Sequence, residues 1–198
     1  MNTKIAGLAA KIADLERELE EELEEELERT RTKFHYSIEK GLAAFSRETR
    51  ALHDTLRQSV PAFLWQTPVK SLLVAPVIYS LIIPLVLIDL WVRLYQAVCF
   101  PVYRIAKVER ARYVILDRGR LPYLNWIERI NCDYCGYANG LVAYVREVAS
   151  RTEQYFCPIK HARHLAGAHA RYQDFLDFGD AQGYKNELRQ LRSDLRGE

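Results

Sequence analysis

The sequence predicts an all-α protein that attaches to a membrane. Two observations lead to this fold class: apolar residues recur every three or four positions near the N-terminus, and 18 residues in mid-chain carry no charge. No long stretch alternates between apolar and polar residues, as half-buried strands would. The predicted order is a long coiled-coil helix (1–60), a hydrophobic membrane anchor (61–103), a small metal-stapled helical domain (104–178), and a linker with an amphipathic tail helix (179–198).

The composition excludes several classes of protein. Apolar residues make up 49% of the 198 positions, with 9 Gly and 7 Pro, which excludes a mainly disordered or collagen-like chain. Four cysteines are too few for a disulfide-stapled secreted scaffold. The net charge of +2 argues against a dedicated nucleic-acid binder, so no nucleic-acid partner is expected.

The N-terminal region, residues 3–58, is predicted to form one uninterrupted helix with an apolar seam. The seam residues are Ile5, Leu8, Ile12, Leu15, Leu19, Leu23, Leu27, Phe34, Ile38, Leu42 and Phe45. Spacings of three and four residues are typical of a coiled coil. Nine of the thirteen positions from 16 to 28 are Glu, which indicates a solvated face. A helix this long needs a partner for its seam, so self-association or a protein partner is expected through residues 1–58.

The membrane anchor is predicted from residues 71–88, which contain fourteen apolar residues and no charge. Eighteen such residues reach the lower limit for a membrane-spanning helix. Trp65 and Trp91 flank the run at a spacing that suits the two interfaces of a bilayer. Pro76 and Pro84 are expected to kink the helix. Three arrangements are compatible with the run: a single span, a Pro-bent hairpin or shallow insertion, and a buried helix of a soluble protein.

The charges beside the anchor predict its orientation. Residues 51–70 carry two basic side chains, whereas residues 89–112 carry five. Basic residues are enriched on the cytoplasmic side of a membrane, so the C-terminal domain is expected to face the cytoplasm. A single span would export the Glu-rich helix, whereas a hairpin would keep both ends of the chain in the cytoplasm.

Four residues are predicted to bind a metal ion together. Cys132 and Cys135 form a CxxC pair, and Gly136 would allow the tight turn of a zinc knuckle. Cys157 and His161 follow at a spacing that would place them on one face of a helix. Three thiolates and one imidazole complete a tetrahedral set for Zn²⁺, with no open position, so the site is expected to be structural.

Other interpretations of the same residues stay open. Iron or an iron–sulfur cluster is an alternative to zinc. The CxxC pair could also be a thioredoxin-type redox pair, although no βαβ pattern surrounds it, or a reduced pair without any ion. His164 could replace His161 as a ligand. Cys99, in apolar sequence, is expected to be a small buried side chain.

Three segments resemble an uncharacterised family of bacterial membrane-associated proteins. They are DLWVRLYQAVCFPVY (89–103), NCDYCGYANGLVAYVRE (131–147) and RTEQYFCPIKHAR (151–163). The resemblance covers about half of the chain. It implies a bacterial, membrane-linked protein, and with the charge pattern it leads us to expect the inner (cytoplasmic) membrane.

The predicted function is that of a membrane-anchored, non-catalytic scaffold or adaptor with a structural Cys₃His zinc site. The alternative is a membrane-linked metalloprotein that performs redox or metal-handling chemistry at the Cys/His cluster. The sequence contains no phosphate-binding GxxxxGK[ST] or GxGxxG motif and no HExxH or GxSxG motif.

Overall fold

The structure, a computed structural model, describes residues 3–39 and 42–196, of which most are helical: 71% of these described residues are in helices and 5% in strands. Within these residues the elements follow in this order: α1 (Thr3–Lys33), β1 (Tyr36–Glu39), β2 (Leu42–Phe45), α2 (Arg47–Leu56), α3 (Val60–Gln66), α4 (Val69–Ser80), α5 (Ile82–Tyr103), α6 (Trp126–Phe156) and α7 (Ala181–Ser193). Short 3₁₀ turns lie at Arg110–Arg112, Arg118–Arg120 and Ala170–Asp174.

The single helix predicted for residues 3–58 is wrong, because α1 ends at Lys33 and an antiparallel β-hairpin follows. His35 adopts a positive φ of 52°, which ends the helix. Tyr36 then pairs with Phe45 across the hairpin, and their rings lie 5.6 Å apart. Aromatic cross-strand pairs of this kind stabilise a hairpin. Ser46 caps the next helix by accepting a hydrogen bond from the Thr49 amide.

Helix α1 forms as predicted over its first 31 residues but packs against little of this chain. Every described side chain from Gly7 to Arg29 is exposed. Pairs such as Arg29 with Glu25, at 3.1 Å, link successive turns of the acidic face. The exposed apolar residues of the seam are Leu8, Ile12, Leu15, Leu19, Leu23 and Leu27. The coiled coil therefore stays a prediction about a partner outside this chain.

Helices α4 and α5 cover the predicted anchor and are separated only by Leu81. The interruption follows from Pro84, which has no amide hydrogen to donate to the Ser80 carbonyl four residues earlier. Pro76 lies inside α4 without ending it. Together, Val69–Tyr103 is long and apolar enough to cross a membrane.

Helix α6 runs as one continuous helix of 31 residues, from Trp126 to Phe156. Asn125 accepts hydrogen bonds from the amides of Ile127 and Glu128, and the Glu128 side chain accepts one from the Asn125 amide, which completes a capping box. No proline follows until Pro158, and the helix continues without a break to Phe156.

The anchor, the following domain and the tail helix share one core. Helices α5 and α6 run parallel, since Tyr103 at the end of α5 contacts Tyr155 at the end of α6. Helix α7 closes the far end, where the Ala106 amide donates to the Leu195 carbonyl at 2.8 Å. The buried apolar residues of this core are Leu85, Phe100, Ile105, Val108, Leu141, Tyr144, Val148 and Leu195.

A glycine allows the connection from α5 to α6 to lie directly on α6. A Cβ at Gly140 would overlap the Tyr113 carbonyl oxygen and lie 2.9 Å from the Val114 Cα. Both contacts are with backbone, which cannot swing away as a side chain would. Gly140 is therefore required for close packing of the 113–114 segment.

We expect Gly140→Ala to destabilise the protein by about 1–3 kcal/mol, because the methyl group forces the connecting segment off the helix. The measurement is denaturant unfolding of the full chain in detergent micelles. Gly7→Ala is the matched control, since nothing lies within 4 Å of a Cβ there. Equal stabilities for the Gly140→Ala variant and the native protein would contradict the close approach.

Candidate functional site

The four predicted metal ligands are not brought together in this structure. Cys132 and Cys135 lie one turn apart in the first half of α6, in continuous helix rather than in a knuckle. Cys157 follows the last residue of the same helix. The 22 positions from Cys135 to Cys157 correspond to about 33 Å along a helix axis. Two ligands of one ion lie only a few ångströms apart, so this helix separates the predicted half-sites.

The second half-site also differs from its predicted form. Residues 157–161 are not helical: the Lys160 amide donates to the Leu176 carbonyl at 2.7 Å, next to a parallel bridge between Ile159 and Leu176. The ring of His161 stacks on Tyr172, and its amide donates to the Tyr172 hydroxyl at 2.6 Å. Among the residues that the structure describes, no group of three or more His, Cys, Asp or Glu is arranged to hold a metal ion.

The cysteines are all free thiols in the structure, and they differ in exposure. Cys99 is partly buried, Cys132 is partly buried, and Cys135 and Cys157 are exposed. Zinc, or iron in its place, stays a prediction from the CxxC and CxxxH spacing.

An extensive exposed apolar surface lies on α4 and α5. Only 6% of the most apolar 18-residue window of this segment is buried. A core helix of a soluble protein would be mostly buried. The exposed apolar residues are Val69, Leu72, Leu73, Val74, Val77, Ile78, Leu81, Ile83, Val86, Leu87, Ile88, Leu90, Trp91, Leu94, Val98 and Val102.

Two polar side chains of α5, Asp89 and Gln96, lie on the opposite, buried side, whereas Arg93 is exposed. Asp89 is only 6% exposed and accepts two hydrogen bonds from Arg110, at 3.0 and 2.7 Å. The Tyr137 hydroxyl of α6 donates a third at 3.0 Å. Burial and this bond to Asp89 raise the pKa of Tyr137, which keeps the hydroxyl protonated. The hydrogen bond to Asp89 likewise raises the pKa of Arg110.

A second buried contact follows two turns later on α5. The Gln96 amide group accepts from the Val108 amide at 2.8 Å and donates to the Val108 carbonyl at 3.2 Å. It also donates to the Tyr144 hydroxyl at 3.3 Å. Each of these bonds holds the connection or α6 against the same side of α5.

Apart from the exposed Arg93, helix α5 therefore has the reverse of the polarity expected of a surface helix in water. A soluble helix turns its apolar stripe toward the core and its polar face outward. Here Asp89 and Gln96 point inward, while Leu87, Leu90 and Trp91 point outward. Polar residues that face the protein, with apolar residues that face outward, are the pattern of a helix whose surroundings are lipid.

An apolar groove extends this surface toward the start of α6. It has a volume of about 560 Å³. Helices α3 and α4 form one wall, and Trp126, Ile127 and Ile130 form the other. Trp65, which is 93% exposed, lies in α3 beside it. Exposed tryptophans at the edge of an apolar surface are typical of proteins that contact the headgroup region of a bilayer.

The sequence analysis missed the residues that orient α5. A carboxylate in an apolar segment indicates that the helix turns this side chain toward a charged or polar partner, because an unpaired carboxylate is costly in an apolar environment. Asp89 comes directly after the uncharged run 71–88 and could have been assigned to an inward face for that reason. Its partner Arg110 lies in the connection, and only the structure identifies it.

Comparison of the chain with family models, with curated proteins and with solved structures finds no match.

We expect Cys132→Ser and Cys157→Ser to change the metal content of the protein independently of each other, since α6 holds the two half-sites far apart. The measurement is metal per chain, by elemental analysis of protein purified without added metal. Cys99→Ser is the control, because neither half-site includes it. A parallel loss of zinc in both variants, with Cys99→Ser unchanged, would show that the four predicted ligands do share an ion.

Proposed function

We propose that the protein is a membrane-anchored, non-catalytic scaffold or adaptor. The reversed polarity of α5 carries this proposal. Sixteen large apolar side chains are exposed between Val69 and Val102. If only half of them entered the bilayer at about 1 kcal/mol each, the gain would be on the order of 8 kcal/mol. That is sufficient for stable attachment without a lipid modification.

The packing of α6 favours shallow insertion over a perpendicular span. The first turns of α6 lie beside α4, since the Tyr79 hydroxyl bonds to Asn131 and the Tyr134 hydroxyl donates to the Ile78 carbonyl at 2.7 Å. Glu128 and Arg129 belong to the same turns of α6. A span that carried α4 through the hydrocarbon core would carry these charged groups with it, at a cost of several kcal/mol.

A helix pair that lies along the interface avoids this cost. The outer face of α4 and α5 enters the acyl region, and the charged side of α6 stays in water. Both ends of the chain then remain on one side of the membrane. From the excess of basic residues after the anchor, we assign that side to the cytoplasm, at a bacterial inner membrane.

Helix α1 supplies the scaffold part of the proposal. It extends from the attached domain as an exposed helix of 31 residues with an unpartnered leucine stripe. An amphipathic helix gains most of its stability from packing of its apolar face, so a second helix is the natural partner. We assign it to a second copy of this chain or to another coiled-coil protein. A structural zinc ion is not required for either role.

We expect Leu87→Glu with Trp91→Glu to weaken binding to neutral lipid vesicles at least tenfold, because each change places a charge in the acyl region. Both side chains are exposed, so the fold should survive, as circular dichroism can verify. Vesicle flotation measures the binding.

Phe178→Glu is the matched control for this double variant, because Phe178 is 69% exposed, close to the 73% of Trp91, but lies outside the anchor. It should bind like the native protein. If the native protein failed to float with vesicles, or if Leu87→Glu with Trp91→Glu floated equally well, the anchoring surface would be wrong.

We expect Leu19→Asn with Leu23→Asn to reduce self-association through α1, because both changes remove apolar contact from the stripe. Sedimentation velocity of the full chain in detergent measures the assembly. Glu21→Gln with Glu24→Gln, on the opposite side of the helix, is the control and should not weaken assembly. A monomeric native protein would contradict self-association and leave a different protein as the partner of α1.

A further inference from the structure

A cavity beside the first turn of α6 is lined by four arginines. It has a volume of about 440 Å³ and lies between β2, α2, the turn Arg118–Arg120 and α6. The arginines are Arg50, Arg57, Arg120 and Arg129. The remaining lining residues are Ala43, Ala44, Phe45, Gly119 and Pro122. Among the described residues, therefore, no carboxylate lines this cavity.

Two carboxylates lie near the cavity without filling it. Asp54 forms an ion pair with Arg57 from the preceding turn of α2. Asp133 lies behind the 3₁₀ turn, where a Cβ at Gly119 would be 2.7 Å from its Cγ. Among the described residues, Arg57 is the only one of the four arginines that forms an ion pair, and no carboxylate lines the cavity, so the cavity is electropositive.

Backbone carbonyls hold two of the arginines in place. The Arg57 Nε donates to the Pro122 carbonyl at 2.8 Å, and the Arg129 Nε donates to the Leu124 carbonyl at 3.1 Å. Each bond uses one N–H of the guanidinium and leaves others available. Arg50 and Arg120 have no ion pair or side-chain hydrogen bond within the part of the chain that the structure describes. An anion in the cavity would therefore meet several unused N–H donors.

The cavity lies beside the surface that we assign to the membrane. Two residues separate Arg57 from the start of α3, and α3 contains the exposed Trp65. Arg129 lies in the same turns of α6 as Trp126 and Ile130, which line the apolar groove. Arginines at this position are level with lipid headgroups rather than with acyl chains.

We infer that this cavity binds the phosphate of an anionic phospholipid headgroup. Guanidinium groups recognise phosphate oxygens by paired, charge-assisted hydrogen bonds, and four of them around one cavity suit a phosphate better than a single carboxylate. The inference rests on the membrane attachment proposed above. It adds a lipid preference to that attachment.

The test is flotation of the full-length protein with two kinds of vesicle: phosphatidylcholine alone, and phosphatidylcholine mixed with phosphatidylglycerol. The native protein should bind the mixed vesicles more tightly. Arg50→Gln with Arg120→Gln should lose about 20- to 30-fold in affinity for the mixed vesicles, at roughly fivefold for each arginine. Its binding to phosphatidylcholine alone should not change, because the apolar face is intact.

Arg163→Gln with Arg189→Gln is the matched control, since it removes the same charge from exposed positions that lie outside the cavity. It should keep the preference of the native protein. An equal loss in both double variants would show a general charge effect and overturn the site. No difference between the two vesicle types for the native protein would also overturn it.

Titration of the detergent-solubilised protein with inorganic phosphate tests whether the ligand is a lipid headgroup or a free phosphate ion. If inorganic phosphate binds through Arg50 and Arg120 while the vesicles show no lipid preference, the ligand is a soluble phosphate and the headgroup assignment is wrong. Failure of the native protein to bind any vesicle would instead overturn the membrane attachment. The two proposals can therefore fail separately.

Discussion

The rest of the structure depends on the buried hydrogen bonds of one carboxylate, Asp89. A carboxylate on the inner side of an apolar helix is costly unless charged and polar partners surround it. Arg110 and Tyr137 supply three hydrogen bonds and one ion pair. Arg110 belongs to the connection and Tyr137 to α6, so satisfying one side chain of α5 fixes three parts of the chain in register. Gln96 repeats the arrangement with Val108 two turns later.

The exposed apolar surface follows from this constraint. A helix can turn only one side toward its neighbour, and α5 uses that side for Asp89, Gln96, Leu85 and Phe100. Its remaining residues, nearly all apolar, must face outward. In water such a surface would aggregate or be covered by another layer of the fold. In the attachment that we propose, a bilayer covers this surface without a further layer of the fold.

The sequence predicts the long apolar helical segment, but its patterns are ambiguous at two other places. The uncharged run predicts an apolar helix that Pro76 and Pro84 kink; the helix is interrupted only at Leu81, before Pro84, and continues through Pro76. The spacing of Phe34, Ile38 and Phe45 fits a helical seam as well as a hairpin, and cross-strand packing decides between them. A CxxC spacing likewise fits either one turn of a helix or a metal-binding knuckle. No residue near Cys132 indicates that α6 continues through it, since that continuity depends on packing against α5.

The charge distribution favours one orientation of the molecule in the membrane attachment that we propose. Residues 1–60 carry 13 acidic and 10 basic side chains, and nine of the acidic ones lie between positions 16 and 28. A surface of anionic lipids repels such a segment. In our proposals the arginine cavity and the apolar face of α4 and α5 are attracted to the same surface, the first electrostatically and the second by the hydrophobic effect. The proposed attachment would therefore hold helix α1 away from the bilayer while α5 enters it. An arm with that orientation leaves its leucine stripe accessible to a partner in the aqueous phase.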